Sequence, residues 1–316
     1  MSSTNPALRF LPLVRDLAEP CAAMTFPAYR HMLALEPTPR HPQDGDPRVV
    51  QPTGVVAVRG GELVGMALAE LPVEQQGKPE LLSLFVQAHA RGHGTGTALL
   101  EALEDHLAAQ GVTRIETVYM TGGAGIPAFE RVLWKRRWEA PTARTVTVRF
   151  TPESAARARW YGRVRLPAEY EIFPWSELRD EERAEMLRSN AAEPWVAPGL
   201  EAWAHDQRGF DSVSSVGLRY HGKVVGWVIN HPVSRDVVRF TCSFMRKDLG
   251  RRARILPMYT ASIERLRGTG CRFCTFITPV MYRGMVDFVK NRCSDAVIFL
   301  GETRGAGHDI VASRAS

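Results

Sequence analysis

The chain has 316 residues, of which 45% are hydrophobic and 23% charged. That balance is globular rather than disordered, and the length suits two domains of about 150 residues better than one core. No apolar run approaches the ~20 residues of a membrane helix. The N-terminal stretch lacks a basic segment ahead of an apolar block, so the expected location is cytoplasmic. The formal net charge of +6 lies in the second half: residues 1–150 hold 15 basic and 15 acidic residues, residues 151–316 hold 25 and 19. Such a basic excess is most simply a solvated face. Arginine outnumbers lysine 35 to 5, the usage of a GC-rich bacterial genome. The five cysteines are odd in number and scattered, which argues against a disulfide framework. Cys271 and Cys274 form a C-x-x-C without the further ligands a zinc site requires, and read as buried thiols.

In chain order, a first helix is expected over Glu19–Leu33, then a strand from Gly54 to Arg59. A turn at Gly61-Glu62 leads into a second strand through Gly65, which makes a β-hairpin. Leu81–Val86 is an apolar strand, followed by the loop Arg91-Gly92-His93-Gly94-Thr95-Gly96. Next come a helix over Thr97–Gln110 with leucines at 99, 100, 103 and 107, a C-capping Gly111, a strand over Arg114–Tyr119 and a helix over Ala128–Arg137. A stretch rich in Ala and Arg, 151–165, reads as the linker between a domain at 1–150 and a second at 166–316.

The second half repeats the order. Ser214–Tyr220 and the Gly222–Val228 segment give a hairpin, Val237–Ser243 a long strand, and Lys247–Arg252 a basic loop. A helix over Ile255–Arg267, a strand over Arg272–Ile277 and a helix over Met281–Arg292 complete it.

The glycines of Arg91–Gly96 allow a backbone to approach a ligand closely, and the helix behind them offers free N–H groups and the positive end of its dipole. A loop of that kind cradles a pyrophosphate. It is not a dinucleotide fingerprint, which opens a parallel unit at the first strand, and it lacks the Gly-Lys-Ser/Thr of a Walker loop.

Glu80 through Leu100, with Arg91, Gly94 and Gly96 on a Gln/Arg-x-x-Gly-x-Gly/Ala pattern, resembles the acetyl-CoA-binding core of the GNAT superfamily of N-acetyltransferases. The resemblance covers Gly54–Trp138 well, including the Glu130–Trp138 segment, and residues 165–300 resemble the same fold in degraded form. It implies an α/β fold of two tandem GNAT-like domains, each a mixed, mostly antiparallel sheet flanked by helices. It also implies acyl transfer from acetyl-CoA, or another acyl-CoA, to a primary amine of a small molecule or peptide in a ternary complex. Backbone amides of Arg91, Gly92, His93, Gly94, Thr95, Gly96 and Thr97 would hold the CoA pyrophosphate. The backbone of Leu84, Phe85 and Val86 would line the pantetheine arm and polarise the thioester carbonyl.

A protonated amine is no nucleophile, so a base is needed. Some family members place a glutamate eleven positions before the loop arginine, and Glu80 sits there; Glu70 is a weaker candidate. The tyrosine many relatives use as thiolate acid falls on Leu133, so either Tyr119 substitutes or the thiolate leaves unaided, a CoA thiol having a pKa near ~8.5 by analogy with cysteine. In the second copy the final signature glycine has become Arg252, among a basic cluster with Arg246, Lys247, Arg251 and Arg254. That copy therefore reads as scaffold, with Trp195, Trp203 and His205 as candidates to line a substrate cleft. The histidines lack ligand spacing, and no metal is expected. The expected partners are an acyl-CoA and an amine, with no membrane; nucleic acid is disfavoured for want of a recognition motif, and a homodimer is compatible. The alternative function is an acyl-CoA-binding sensor without turnover.

Overall fold

The computed structural model describes residues 7–40, 48–73, 78–249 and 254–310. It divides into two compact units, Met1–Arg144 with Thr303–Ser316, and Thr145–Glu302. Among the described residues no helix is long and apolar enough to cross a membrane.

The first unit runs β1 (Leu8–Pro12), α1 (Ala18–Cys21), β2 (Thr38–Pro39), β3 (Val49–Arg59), β4 (Glu62–Pro72), β5 (Glu80–Val86), α2 (Thr95–Ala108), β6 (Arg114–Met120) and α3 (Ile126–Lys135). The single helix expected over Glu19–Leu33 is instead α1 and two 3₁₀ segments, Ala22–Met24 and Pro27–Ala34. Pro27, lacking an N–H and closed to the preceding residue's α conformation, starts a new segment rather than continuing a helix. The β3–β4 hairpin turns at Gly60 and Gly61, both at positive φ. On α2 the expected leucine stripe is real: Leu99, Leu100, Leu103 and Leu107 are fully buried, packed with Val55, Ala67, Leu81 and Ile115. The helix begins at Thr95, two residues earlier than the sequence suggests.

The second unit runs β7 (Thr142–Phe150), α4 (Pro152–Ala155), β8 (Tyr170–Pro174), α5 (Asp180–Ala192), α6 (Ala202–His205), β9 (Val216–Tyr220), β10 (Lys223–Ser234), β11 (Val237–Met245), α7 (Leu256–Leu266), β12 (Phe273–Pro279) and α8 (Arg283–Arg292). The last strand, β13 (Phe299–Asp309), pairs with β6 of the first unit. The expected linker 151–165 contains α4, capped by Thr151, and its Ala155 and Ala158 are buried.

Strand order exposes the repeat. The first unit reads β1-β3-β4-β5-β6-β13 and the second β8-β9-β10-β11-β12-β7. Every neighbour pair is antiparallel except β5/β6 and β11/β12. The two copies share a plan but have exchanged their last strands, so the first unit is completed by the chain's C-terminal segment. Side chains fix the exchange. Val146, Val148 and Phe150 of β7 are buried in the second unit's core. On β13, Asp309 pairs with Arg114 at 2.7 Å, Arg304 with Glu130 at 3.0 Å, and His308 stacks on Trp138 with ring centroids 5.5 Å apart.

The copies also share two local features. Gly65 and Gly226 each lie where a Cβ would meet the neighbouring strand's carbonyl, at 2.7 Å from Phe85 O and 2.9 Å from Phe244 O. Each next strand then carries one extra residue. Leu68 faces Ser83 and Ala69 faces Leu81, leaving Leu82 over; Ile229 faces Cys242 and Asn230 faces Phe240, leaving Thr241 over. A bulge bends the strand that bears it.

Candidate active site

β5 and β6 are parallel and seven residues long, yet their ladder holds only Glu80↔Glu116 and Leu81↔Thr117. Beyond the bulge at Leu82 the strands part. From Leu84 to Val86, β5 therefore keeps its pairing to β4 but presents its other backbone edge to an opening. The residues expected to line a pantetheine arm are those whose edge the splay leaves available, and pantetheine's amides could pair with that edge as a further strand.

The glycine loop lies at the mouth of the splay. After a short 3₁₀ turn over Ala88–Ala90, Gly92 and Gly94 both take φ of +81°, and a Cβ on either would meet nothing within 4 Å. Gly94 is the N-cap of α2, with no side-chain cap. The first helical N–H with a backbone acceptor is that of Ala98, on Gly94 O at 3.0 Å. The amides of Thr95, Gly96 and Thr97 precede it and are those a helix leaves unpaired at its positive end. The loop is held from beneath: Thr95, 1% exposed, donates its hydroxyl to Ala90 O at 3.0 Å, and Arg91 donates Nε to Val86 O at 2.8 Å. The Arg91 guanidinium lies 5.8 Å from the Phe85 ring. Gly96 has a different task, since its absent Cβ would contact Val132 and Val86 at 3.6 Å, so it sets helix packing rather than the cradle wall.

At the opposite end of β5, Glu80 lies directly across from Glu70 of β4. Arg40 bridges them, with Nε 2.6 Å from Glu70 Oε1 and Nη2 on Glu80 Oε2. Glu70 is 3% exposed, so this end of the strand gathers two carboxylates on one guanidinium. Tyr29 belongs to the same cluster: burial first, and Glu80 next, raise its phenol above the usual range, so it stays a neutral donor. Sequence reading found the carboxylates but neither Arg40, in irregular chain, nor Tyr29, in the Pro27–Ala34 3₁₀ segment, since no motif surrounds either.

Tyr119 sits at the far end of β6 and is already engaged. Its hydroxyl donates to Glu130 Oε1 at 2.7 Å, and its ring meets Phe129 edge-on at 5.0 Å. Burial and that bond push its pKa well above the ordinary value. Leu133 is 1% exposed, part of the core.

Residues 17–133 match the model of the acetyltransferase (GNAT) family. They form a GNAT-family domain. Solved structures extend the likeness of fold over the whole chain. A tandem GNAT protein from the clavulanic acid biosynthesis pathway is 14% identical with a TM-score of 0.58, covering 97% of this chain and 100% of that one. A GCN5-related N-acetyltransferase from Sphaerobacter thermophilus is 13% identical with a TM-score of 0.52, covering 95% and 96%. A glucosamine N-acetyltransferase region of a fungal multi-domain β-N-acetylglucosaminidase is 14% identical with a TM-score of 0.56, covering 97% of this chain and 38% of that one. No curated protein sequence matches the chain. The chain thus has a tandem GNAT fold, with the acetyltransferase family matched in its first unit.

In the second GNAT-like unit the loop positions Gly250, Arg251 and Arg252 lie outside the described residues. Of the basic cluster around them, Arg246 pairs with Asp248 at 2.9 Å and Arg254 donates to the Tyr170 hydroxyl. Trp195 and Trp203 pack on Trp227, and His205 Nε2 lies 3.1 Å from Gly199 O, so all three serve the unit's own core and surface. Cys271 and Cys274 lie 4.0 Å apart, sulfur to sulfur. Among the described residues no group of three or more His, Cys, Asp or Glu is placed to hold a metal ion.

Proposed function

We propose that the protein is an acyl-CoA-dependent N-acyltransferase whose working site is in the first unit, with acetyl-CoA as donor. The observation that carries this reading is the coincidence of the unpaired amides at Gly92–Thr97 with the splay that frees the β5 edge at Leu84–Val86. A pyrophosphate on the first and a pantetheine arm along the second bring the thioester to the middle of β5. There a backbone amide can hydrogen-bond the carbonyl oxygen as charge builds on it.

The acceptor is proposed to be a cation that becomes a nucleophile on the site. The carboxylates at this end of β5 draw an ammonium, and Glu80 takes its proton, directly or through water. The amine attacks the carbonyl carbon, the C–S bond breaks, and the sulfur leaves as thiolate. Of the two courses open to the thiolate, protonation by Tyr119 is disfavoured, because the Tyr119 hydroxyl donates to Glu130 and its pKa is raised. Unaided departure is the simpler course for a group whose thiol pKa is near ~8.5.

The sensor alternative shares the cradle and differs in turnover. Calorimetry with CoA tests the cradle, and thiol release from acetyl-CoA over a panel of primary amines tests the chemistry. Saturable binding with amine-dependent thiol release supports the enzyme. Binding with no release for any amine leaves the sensor, and absence of CoA binding sinks both.

A further inference from the structure

The second unit repeats the splay but puts something else in it. β11 and β12 are parallel and pair only at Val237↔Phe273, Val238↔Cys274 and Arg239↔Thr275. Past the bulge at Thr241 they part around a cavity of about 620 Å³, within the size range of small-molecule sites. Its walls are apolar and aromatic: Phe150, Trp160, Phe240, Ile263, Phe276 and Phe288. Few polar groups lie within. The Tyr259 hydroxyl bonds to Ser243, and burial raises its pKa to about 12, so the phenol stays neutral. On the exposed rim lies Arg283, which makes no hydrogen bond or ion pair among the described residues. Pro257 in the first turn of α7 lacks an N–H at the helix end equivalent to the one proposed to hold pyrophosphate in the first unit.

We propose that this cavity is a binding site for a hydrophobic carboxylate, a medium-chain fatty acid in chemical class, with its chain among the aromatic walls and its head on Arg283. The walls suit an alkyl chain, since no charged group lies among those within. The unpaired guanidinium at the mouth matches a carboxylate in geometry and sign. A nucleotide thioester fits this lining less well, because among the described wall residues Arg283 alone is charged and could meet a diphosphate.

The test is calorimetry on the full chain with octanoate, decanoate, 1-decanol and CoA. One decanoate per chain is expected. Octanoate should bind roughly tenfold more weakly, from about 0.8 kcal/mol per buried methylene. Decanol should bind more weakly than decanoate, and Arg283→Ala should abolish that difference. Ser243→Phe, which fills the space beside Tyr259, should eliminate decanoate binding while CoA binding persists. Met285→Trp fills the same cavity from α8 and serves if Ser243→Phe does not fold. Gly94→Ala, aimed at the first unit's loop, should leave decanoate binding unchanged, which separates this proposal from the fate of the proposed function. No saturable decanoate binding, decanoate binding indifferent to both filling variants, or a second CoA lost on filling the cavity would each overturn it.

Discussion

Replacing Gly94 by alanine separates backbone geometry from available space. Gly94 has φ of +81° and open space around the missing Cβ, so the methyl clashes with nothing, yet an L-residue resists that conformation by about 1–2 kcal/mol. Either the loop keeps its shape and the unit loses that much stability, or it relaxes and the Gly92–Thr97 amides no longer converge. In the bound state the strain is weighed against charge-assisted hydrogen bonds worth about 1.5–3 kcal/mol each. Relaxation that forfeits one of them weakens CoA binding roughly tenfold to hundredfold. Gly96→Ala is the control: its φ is not in the left-handed region, and its methyl would make ordinary 3.6 Å contacts with Val132 and Val86. Calorimetry with CoA, alongside thermal melts of both variants, should show Gly94→Ala weakened and Gly96→Ala within about threefold of the parent. If Gly94→Ala bound CoA as tightly as the parent at unchanged melting temperature, the cradle argument would be refuted.

Three further outcomes follow from the same geometry. Glu80→Gln should lower kcat about 10²- to 10⁴-fold with CoA affinity unchanged; Glu70 still holds Arg40, so the melt should move little, and a kcat near that of the parent would remove Glu80 from the chemistry. Tyr119→Phe should keep kcat within about threefold while costing about 1 kcal/mol of stability for the lost bond to Glu130; a hundredfold fall in kcat would restore the tyrosine as acid. In the second unit, hydrogen bonds from Arg219 above all hold Glu182 down at about 2 from an ordinary 4.5. A carboxyl with a depressed folded pKa adds stability above its unfolded pKa and loses it as pH falls toward the folded value. Glu182→Gln should therefore weaken the protein by about 2 kcal/mol at pH 7 and flatten its loss of stability between pH 4.5 and 2, read by urea titrations followed by tryptophan fluorescence; an unchanged acid limb would contradict this.

Sequence and structure agree where short-range chemistry decides. The leucine stripe at 99, 100, 103 and 107 has helical period and one buried face, and the Gly60-Gly61 and Gly222 turns need a conformation few residues adopt, so both were legible. Glu80 was placed by its offset from Arg91 and does begin β5, but its guanidinium partner was not visible. Arg40 lies forty residues away, and an isolated arginine carries no periodicity. Gly96 was expected for its amide, and its missing side chain also faces Val132 and Val86; a motif specifies a residue type without saying which neighbour demands it.

The strand exchange was illegible for a deeper reason. β7 and the closing strand β13 are each plausible final strands for either copy, because both copies offer the same sixth position, antiparallel to their fifth strand. Alternation in Thr145–Phe150 says that one face is buried, not which core receives it. What decides is long-range pairing: Arg114 and Glu130 of the first unit find Asp309 and Arg304 on β13, and glycines at 305 and 307 leave room for the side chains of Arg144 and Arg114. Replacing Gly307 by valine would force a Cβ onto Arg114 Nη2, 2.3 Å away, and break the ion pair that helps β13 choose its sheet. The first unit is then expected to lose stability through a residue almost two hundred positions from Arg114. A segment ending at residue 150, even with the CoA loop whole, would expose the edge of β6 that β13 covers. Such a fragment should aggregate or fail to fold, and addition of a synthetic 299–310 peptide should restore CoA binding if strand exchange is what completes the unit.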